Sequence, residues 1–436
     1  MSGEDSFKIL NKFFKPKKEE SIDEIKGYSI KYGNIIEDDQ IVDEVLVSYF
    51  KAPKSYTTEN MCEINSHGGI VIVRKILDIC LKNGAKLAEP GEFTKRAFLN
   101  GRIDLLQAES VIDIINAKSE KEAKAGINQL EGQLSKKINE IKQNILDVIV
   151  NVEVSIDYPE YDVDEVTIKQ ISEMLYTVND KLKKLEKSFD NGKIIKNGIK
   201  TAIIGKPNAG KSSLLNTILK EERAIVTDIE GTTRDTIEEF VNINGIPLKL
   251  IDTAGIRKAK DEVEKIGITK SRKIADSADL VIAIIDSSKE LSEEDEEILE
   301  IVKNRKSIIL LNKIDLGKVI TKENCRLKDA SENIIEISTI ENKGIDELYE
   351  KITELFNLND INFDNEVLVT NLRHKNLISD AISSVEKTQN TINEKMPLDI
   401  IAIFLKEILS NLGKITGDEI GEDIINEIFS KFCLGK

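Results

Sequence analysis

The sequence predicts a multidomain protein of α/β and α class. An N-terminal α+β domain leads into a helical-bundle domain that is split in two. Between its halves lies an inserted domain with a mostly parallel sheet and helices on both faces. Three observations predict this. Residues 101–198 and the C-terminal stretch repeat apolar residues at steps of three and four. Residues 199–358 alternate short, wholly apolar runs with helical stretches. Residues 1–100 carry strand patterns bounded by acidic and glycine turns. The expected domains are therefore 1–100, 101–198, 199–358 and 359–436, and a chain of 436 residues is long enough for several cores.

In the first domain, Lys31–Ile36 and Glu44–Phe50 read as strands separated by an acidic turn. Glu63–Gly69 reads as a strand ending in a glycine pair, followed by an amphipathic helix from Val71 to Asn83. Glu89-Pro90-Gly91-Glu92-Phe93-Thr94-Lys95-Arg96-Ala97-Phe98 reads as a turn and a short charged helix. His67, with no Cys, Asp or second His beside it in sequence, reads as a structural histidine. In the helical stretches Ile127, Leu130, Leu134, Ile138, Ile141, Ile145, Ile149 and Val152 form one stripe, expected on a single long helix broken at Tyr158-Pro159. A second stripe (Ile171, Leu175, Val178, Leu182, Leu185) is expected to end at Asn191-Gly192. Ile400, Ile401, Phe404, Ile408 and Leu412, then Ile424, Ile425, Ile428 and Phe429, supply the helices that close the bundle.

Composition narrows the function. A net charge of −16 argues against broad non-specific nucleic-acid binding. The four cysteines (Cys62, Cys80, Cys325 and Cys433) show no paired spacing, which fits a reducing compartment and excludes a zinc ribbon. No membrane span or signal peptide is expected, so the reading is cytoplasmic.

The inserted domain carries the chemistry. Thr201–Ile204 reads as a buried strand, followed by Gly205-x-x-x-x-Gly210-Lys211-Ser212 and a helix beginning at Ser213. Successive N–H groups of such a loop, from Asn208 and Ala209 onward, cradle phosphate oxygens at the helix N-terminus. Lys211 reaches the β- and γ-phosphates, and the Ser212 hydroxyl ligates Mg²⁺. Phe240–Ile243 and Leu248–Ile251 flank an Asn244-Gly245 hairpin turn. Leu280–Ile285, Ser307–Leu311 and Asn333–Ile337 are further buried strands. The remaining motifs fall where strands end. Asp252-Thr253-Ala254-Gly255 can supply the Mg²⁺ shell through Asp252 and a γ-phosphate contact through the Gly255 N–H. Gly231-Thr232-Thr233 lies in a mobile connection, and Thr233 adds its hydroxyl to Mg²⁺ while a γ-phosphate holds the loop. Asn312-Lys313-Ile314-Asp315 closes another strand, and the Asp315 carboxylate can accept the guanine N1–H and N2–H₂. Adenine offers neither donor. Ser338 and Thr339 can back the base with a main-chain N–H. The four motifs in this order read as a Ras-like P-loop GTPase domain with GTP as ligand. Many such domains place a Gln after D-x-x-G to orient water, whereas this chain has Ile256, so either hydrolysis is feeble or another polar group substitutes. A carboxylate of Asp261-Glu262-Val263-Glu264 could orient water, although by composition these acids read as a solvated helix start.

Taken together, Glu63-Ile64-Asn65-Ser66-His67-Gly68-Gly69, LAEPGEFTKRAFLNGRIDLLQAE, the nucleotide motifs and the ending Phe432-Cys433-Leu434-Gly435-Lys436 resemble the MnmE (TrmE) family of tRNA modification GTPases over nearly the whole chain. The resemblance implies a homodimer built on a folate-binding N-terminal domain. It also implies an FAD-dependent partner, MnmG, with which the family forms a heterotetramer or larger complex. Together they add an aminomethyl or carboxymethylaminomethyl group to C5 of the wobble uridine of certain tRNAs. The family's potassium-coordinating asparagine matches Asn208, and Thr227, Ile229 and Thr232 match the loop completing that site, in which Asp228 and Glu230 also lie. Its water-orienting glutamate matches Glu264. Folate-contacting positions match Glu63, Arg102 and Lys436, and Cys433 matches a conspicuous family cysteine.

One departure stands out. The family's first strand ends in R-x-S-G, and Met1-Ser2-Gly3 falls on its last three positions. The expectation is an N-terminal sheet with an open edge, weak binding of a tetrahydrofolate derivative without that arginine, and a reading frame whose start lies upstream. A GTPase switch in ribosome or complex assembly is the alternative to tRNA modification, because related GTPases carry the same nucleotide motifs.

Overall fold

Aliphatic and β-branched residues with no polar partner to offer solvent form strands buried on both faces, and that is how the inserted domain is built. A computed structural model of the chain describes residues 1–18, 27–157, 164–221, 239–243, 245–251, 267–356 and 367–435. Its elements in chain order begin α1 (Ser6–Leu10), β1 (Phe14–Pro16), β2 (Tyr28–Glu37), β3 (Gln40–Phe50), β4 (Met61–Asn65), α2 (Ile70–Lys82), α3 (Glu92–Leu99), α4 (Leu105–Asn116), α5 (Glu120–Leu130), α6 (Gln133–Asp157) and α7 (Asp164–Asn197). They continue β5 (Ile199–Gly205), α8 (Lys211–Glu221), β6 (Glu239–Ile243), β7 (Ile246–Leu250), α9 (Gly267–Asp276), β8 (Leu280–Asp286), α10 (Glu293–Val302), β9 (Ser307–Asn312), α11 (Cys325–Ala330), β10 (Ile334–Glu336) and α12 (Ile345–Leu355). The chain closes with α13 (Leu372–Asn393), α14 (Leu398–Thr416) and α15 (Glu422–Ser430). The chain divides into two compact units: Met1–Ile112 with Gln129–Ile168 and Asn390–Lys436, and Asp113–Asn128 with Lys169–Gln389.

In the first unit an antiparallel sheet runs β1-β2-β3-β4. The β2–β3 turn is acidic, as expected, and both Asp38 (φ 51°) and Asp39 (φ 61°) sit in the left-handed region that a tight hairpin turn of the right twist demands. One face of the sheet buries Ile35, Val45, Val47 and Tyr49 against Phe7 and Leu10 of α1 and Ile76 and Ile79 of α2. The edge expected to lie open is partly paired. Cys62 N–H donates to the Met1 carbonyl at 3.0 Å, the Met1 amine donates to the Cys62 carbonyl at 2.8 Å, and Ser2 bridges Met61. Elsewhere in this unit α6 and α14 pack antiparallel, since Lys406 pairs with Glu153 while Lys142 reaches Thr416 and Asp418. Ile138, Ile141, Ile145 and Val152 of α6 are buried, as are Ile401, Leu405, Ile408 and Leu412 of α14. A smaller core joins Ala97, Leu105 and Ala108 to Ile425, Phe429 and Phe432.

Two helix boundaries differ from the sequence expectation. The first stripe is divided between α5 and α6, because Gly132 adopts φ 80° and ends the run. The second continues through Gly192 to Asn197. A Cβ on Gly192 would lie 2.2 Å from the Val369 carbonyl oxygen, so this glycine serves close approach, not termination.

In the second unit the sheet order is β10-β9-β8-β5-β7-β6, parallel except for the β6–β7 hairpin. Every residue of β8 and β9 is buried. Alternate side chains feed two cores. Ile203, Ile282, Ile284, Ile308 and Leu310 meet α8 and α12, whereas Ile204, Val281, Ala283, Ile309 and Leu311 meet α9, α10 and α11. A nucleotide domain with helices on both faces of its sheet, a helical domain and an N-terminal sheet domain are thus all present.

The start of α5 generates a test. Ser119 and Glu122 cap it, the Glu122 N–H donating to Ser119 Oγ and the Glu122 carboxylate accepting from the Lys118 N–H at 2.7 Å. Burial pushes the Glu122 carboxyl from 4.5 up to about 7, against the pull of the Lys118 N–H and the Lys118 and Lys196 charges. The folded chain therefore holds this proton to higher pH than the unfolded one, and the stability so gained is present below about 4.5 and lost as pH rises through about 7. Glu122→Gln keeps the acceptor and never ionises. Thermal unfolding should show the variant melting several degrees above wild type at pH 8 and together with it at pH 4.5.

Candidate nucleotide-binding site

Loops at the carboxyl ends of parallel strands gather in one place, and the nucleotide motifs of β5, β9 and β10 gather with them. After β5 the chain turns through Asn208 at φ 61° and Gly210 at φ 111° before α8 begins at Lys211. Only glycine tolerates the second conformation easily, and space demands it too, since a Cβ there would lie 2.0 Å from Asn312 Nδ2. Lys211 Nζ folds over the loop and donates to the carbonyls of Gly205 (2.6 Å) and Lys206 (2.8 Å). Ala209 is buried, and Asn208, Ser212 and Ser213 are exposed. The loop thus presents an ammonium, two hydroxyls and the first N–H groups of a helix to one side, which is what an anionic phosphate chain with a divalent cation requires.

The base-reading loop is fastened to it. Asn312, buried at the end of β9, donates from Nδ2 to the Ala209 carbonyl (2.9 Å) and accepts at Oδ1 from the Thr339 N–H (3.3 Å). Asn312, expected among the nucleotide contacts, thus uses one N–H and one oxygen lone pair of its amide to join the two loops. Lys313, at φ 67°, places Nζ 2.7 Å from Asp286 Oδ2. Burial raises the Asp286 carboxyl, but the Lys313 and Ser288 hydrogen bonds prevail and hold it below the usual carboxylate range. Asp315 is exposed, and one of its oxygens accepts from the buried Ser338 hydroxyl at 2.6 Å. That leaves acceptor capacity directed outward, enough for two donors on one edge of a base. The N–H of Ser338 goes to the Lys343 carbonyl and that of Thr339 to Asn312, so the contribution expected from their main chain is taken up within the protein. What Ser338 offers is its hydroxyl, which orients Asp315. Thr227, Asp228, Ile229, Glu230, Gly231, Thr232, Thr233, Asp252, Thr253, Ala254, Gly255, Ile256 and Glu264 lie outside the described residues.

A second site stands in the N-terminal unit. A cavity of about 530 Å³ is lined by Tyr56, Glu63, Val73, Leu77, Phe93 and Gly435 among others. The Arg102 guanidinium stacks on the Tyr56 ring, 4.4 Å from its centroid. Glu63 and the ring that carries Arg102 therefore face one space, with Gly435 beside it, while Lys436 lies outside the described residues. Cys433 is exposed, and its carbonyl accepts from the Gly91 N–H at 3.3 Å, which ties this part of the chain to the Pro90-Gly91 turn. His67 was expected as a satisfied structural histidine, and it does have a hydrogen-bond partner, though at the surface. It is exposed, with its Nδ1 2.7 Å from Asp43 Oδ1 and its N–H on the other oxygen of that carboxylate, which β3 brings across.

The family model of the GTP-binding protein TrmE N-terminus matches residues 1–102, and that of the MnmE helical domain matches residues 105–433. The tRNA modification GTPase MnmE of Acetivibrio thermocellus is 50% identical over 440 residues, covering 100% of this chain and 95% of that protein. Those of Clostridioides difficile and Alkaliphilus oremlandii are 48% and 46% identical at the same coverage. The chain belongs to the MnmE family of tRNA modification GTPases. It is a GTPase, acting on GTP to give GDP and phosphate.

Within this MnmE-family chain, three residues of the nucleotide site went unread in the sequence: Asp286, Asp295 and Lys206. Lys206 pairs with the buried Asp295 at 2.5 Å, as Lys313 does with Asp286. No spacing rule links a lysine to an acid so far along the chain, and only the parallel order β9-β8-β5 makes them neighbours. Among the described residues no cluster of three or more His, Cys, Asp or Glu could hold a metal ion, and no helix is long and apolar enough to cross a membrane.

Gly210→Ala should weaken binding of a fluorescent GTP analogue by at least about tenfold, because both the strained φ and the lost space displace the loop. Asp315→Asn presents a donor to the guanine donors, so it should exchange GTP for xanthosine triphosphate as preferred substrate, and competition between the two nucleotides measures this.

Proposed function

We propose that the chain is a potassium-dependent GTP hydrolase that serves C5 modification of the wobble uridine in tRNA, acting in the cytoplasm as a homodimer with an FAD-dependent partner of the MnmG kind. The observation that carries the reading is the convergence of Lys211, Asn312 and Asp315 at the carboxyl ends of the parallel strands β5 and β9, which flank β8, within a chain of this family. The N-terminal cavity lined by Glu63 and Tyr56, with Arg102 stacked on the Tyr56 ring, supports a tetrahydrofolate derivative as second ligand, since an acid and an aromatic ring with a cation on it suit a pterin edge and a carboxylated tail.

In this reading Asp315 selects guanine, and the Asn312 bridge holds the base loop and phosphate loop in register. Lys211 exchanges its two carbonyl partners for β- and γ-phosphate oxygens, a step that costs little because both states are charge-assisted hydrogen bonds. The residues fit Mg²⁺, which the Ser212 and Thr233 hydroxyls would hold and which would neutralise phosphate charge. Asn208 fits a potassium site, exposed on the outward turn of the loop, with Thr227, Ile229 and Thr232 as the other members. A monovalent cation there supplies the kind of charge that an arginine finger supplies elsewhere, worth roughly 10³–10⁵ in rate. Glu264 orients the attacking water in place of the glutamine that Ile256 replaces.

Hydrolysis by the wild type should be faster in K⁺ than in Na⁺ at equal ionic strength, and Asn208→Ala should erase the difference. Glu264→Ala should slow turnover while leaving GTP affinity nearly intact. Equal wild-type rates in both salts would remove the potassium site. Nucleoside mass spectrometry of tRNA from cells lacking the chain tests the modification itself, and an undiminished C5-modified wobble uridine would overturn it.

A further inference from the structure

We propose that the segment from Asp286 to Asp295, comprising the end of β8 and the first turn of α10, is a positioning element that fixes the phosphate loop and the base-reading loop relative to each other. Neither aspartate belongs to a recognised nucleotide motif. Each is buried, with a side chain 4% (Asp286) or 0% (Asp295) exposed, and each grips a lysine from a different motif. Lys313 of Asn312-Lys313-Ile314-Asp315 places Nζ 2.7 Å from Asp286, and Lys206 of the phosphate loop places Nζ 2.5 Å from Asp295 and 3.3 Å from Ser292 Oγ.

The carboxylates cannot wander. Asp295 is the acid of the capping box of α10, its Oδ2 accepting from the Ser292 N–H (3.0 Å) and hydroxyl (2.7 Å), while Asp286 accepts from the Ser288 N–H and hydroxyl. A buried charge deprived of its partner is strongly unfavourable, so each loop follows its aspartate. The link to chemistry is short. The main-chain carbonyl of Lys206 is one of the two that hold Lys211 Nζ, so displacement of Lys206 displaces the phosphate-binding ammonium. On the other side Lys313 stands between Asn312, which bonds the phosphate loop, and Asp315, which faces the base. One short segment thus sets both ends of the nucleotide. Lys206, Asp286 and Asp295 act through the groups they hold, the Lys206 carbonyl on Lys211 and Lys313 beside Asn312 and Asp315, and are positioning residues.

The inference rests on the GTP reading of the site, and wild-type turnover of GTP tests that reading separately. The 436-residue chain is assayed with GTP and with inosine triphosphate, which lacks the guanine 2-amino group. Lys206→Met and Asp295→Asn should each lower kcat/KM by roughly 10- to 100-fold for both nucleotides, leaving their ratio unchanged. The double variant should be no worse than either single one, because both remove the same contact. Lys206→Arg, which restores a cation, should recover most of the loss. Asp286→Asn should lower the preference for GTP over the inosine nucleotide by about threefold or more, because it acts on the base loop. Thermal unfolding identifies any variant that fails to fold, and the Lys206 and Asp286 substitutions, on different elements, remain readable independently. Rates within about twofold of wild type in folded Lys206→Met, additive losses in the double variant, or an arginine variant as poor as the methionine one would each overturn the proposal.

Discussion

Much of the nucleotide site depends on one primary amide. Asn312 uses both ends of its side chain, Nδ2 on the Ala209 carbonyl and Oδ1 on the Thr339 N–H, and so joins the loops after β5, β9 and β10. A primary amide donates from one end and accepts at the other in a fixed plane, and aspartate or leucine in the same volume would leave a buried carbonyl or N–H unsatisfied. The demand for space at Gly210 follows from it, because the amide occupies the volume a Cβ would need. So does the position of Thr339, whose carbonyl accepts in turn from the Thr217 hydroxyl on α8 at 3.4 Å.

The sheet was legible in the sequence because burial on both faces leaves an unmistakable imprint. Leu280–Ile285 and Ser307–Leu311 are apolar runs without alternation, and they became β8 and β9 with at most one residue added. The helical boundaries were less legible. A periodic stripe cannot say whether a glycine within or beside it ends a helix or admits a neighbour. Gly132 does the first and Gly192 the second, and the difference lies in whether φ is positive or Val369 is near. The short β1, ending at Pro16 on a sheet edge, carries too few residues to show any period.

At the site, motif residues were legible and their supports were not. Lys211, Asn312 and Asp315 are marked by fixed spacing from glycine or from each other. Asp286, Asp295 and Asp43 are ordinary acids in the sequence, and each acquires its lysine or histidine through sheet order or strand pairing. For a related reason Ser338 was not legible as the residue whose hydroxyl orients Asp315. Its N–H closes a small turn with Lys343, a local pairing that motif matching does not report.

The junction between the nucleotide domain and its helical supports has an evolutionary consequence. Helix α7 delivers the chain to β5, and the chain returns at Val369, against Gly192 of the same helix and hydrogen-bonded to Ser188. Departure and return therefore lie within a few turns of one another, and α7 and α13 are clasped there through Lys183–Glu386 and Ser379–Glu186. Such a geometry makes the nucleotide domain a cassette. A domain whose two ends lie this close together can be inserted into a host with little disturbance of the host's own packing.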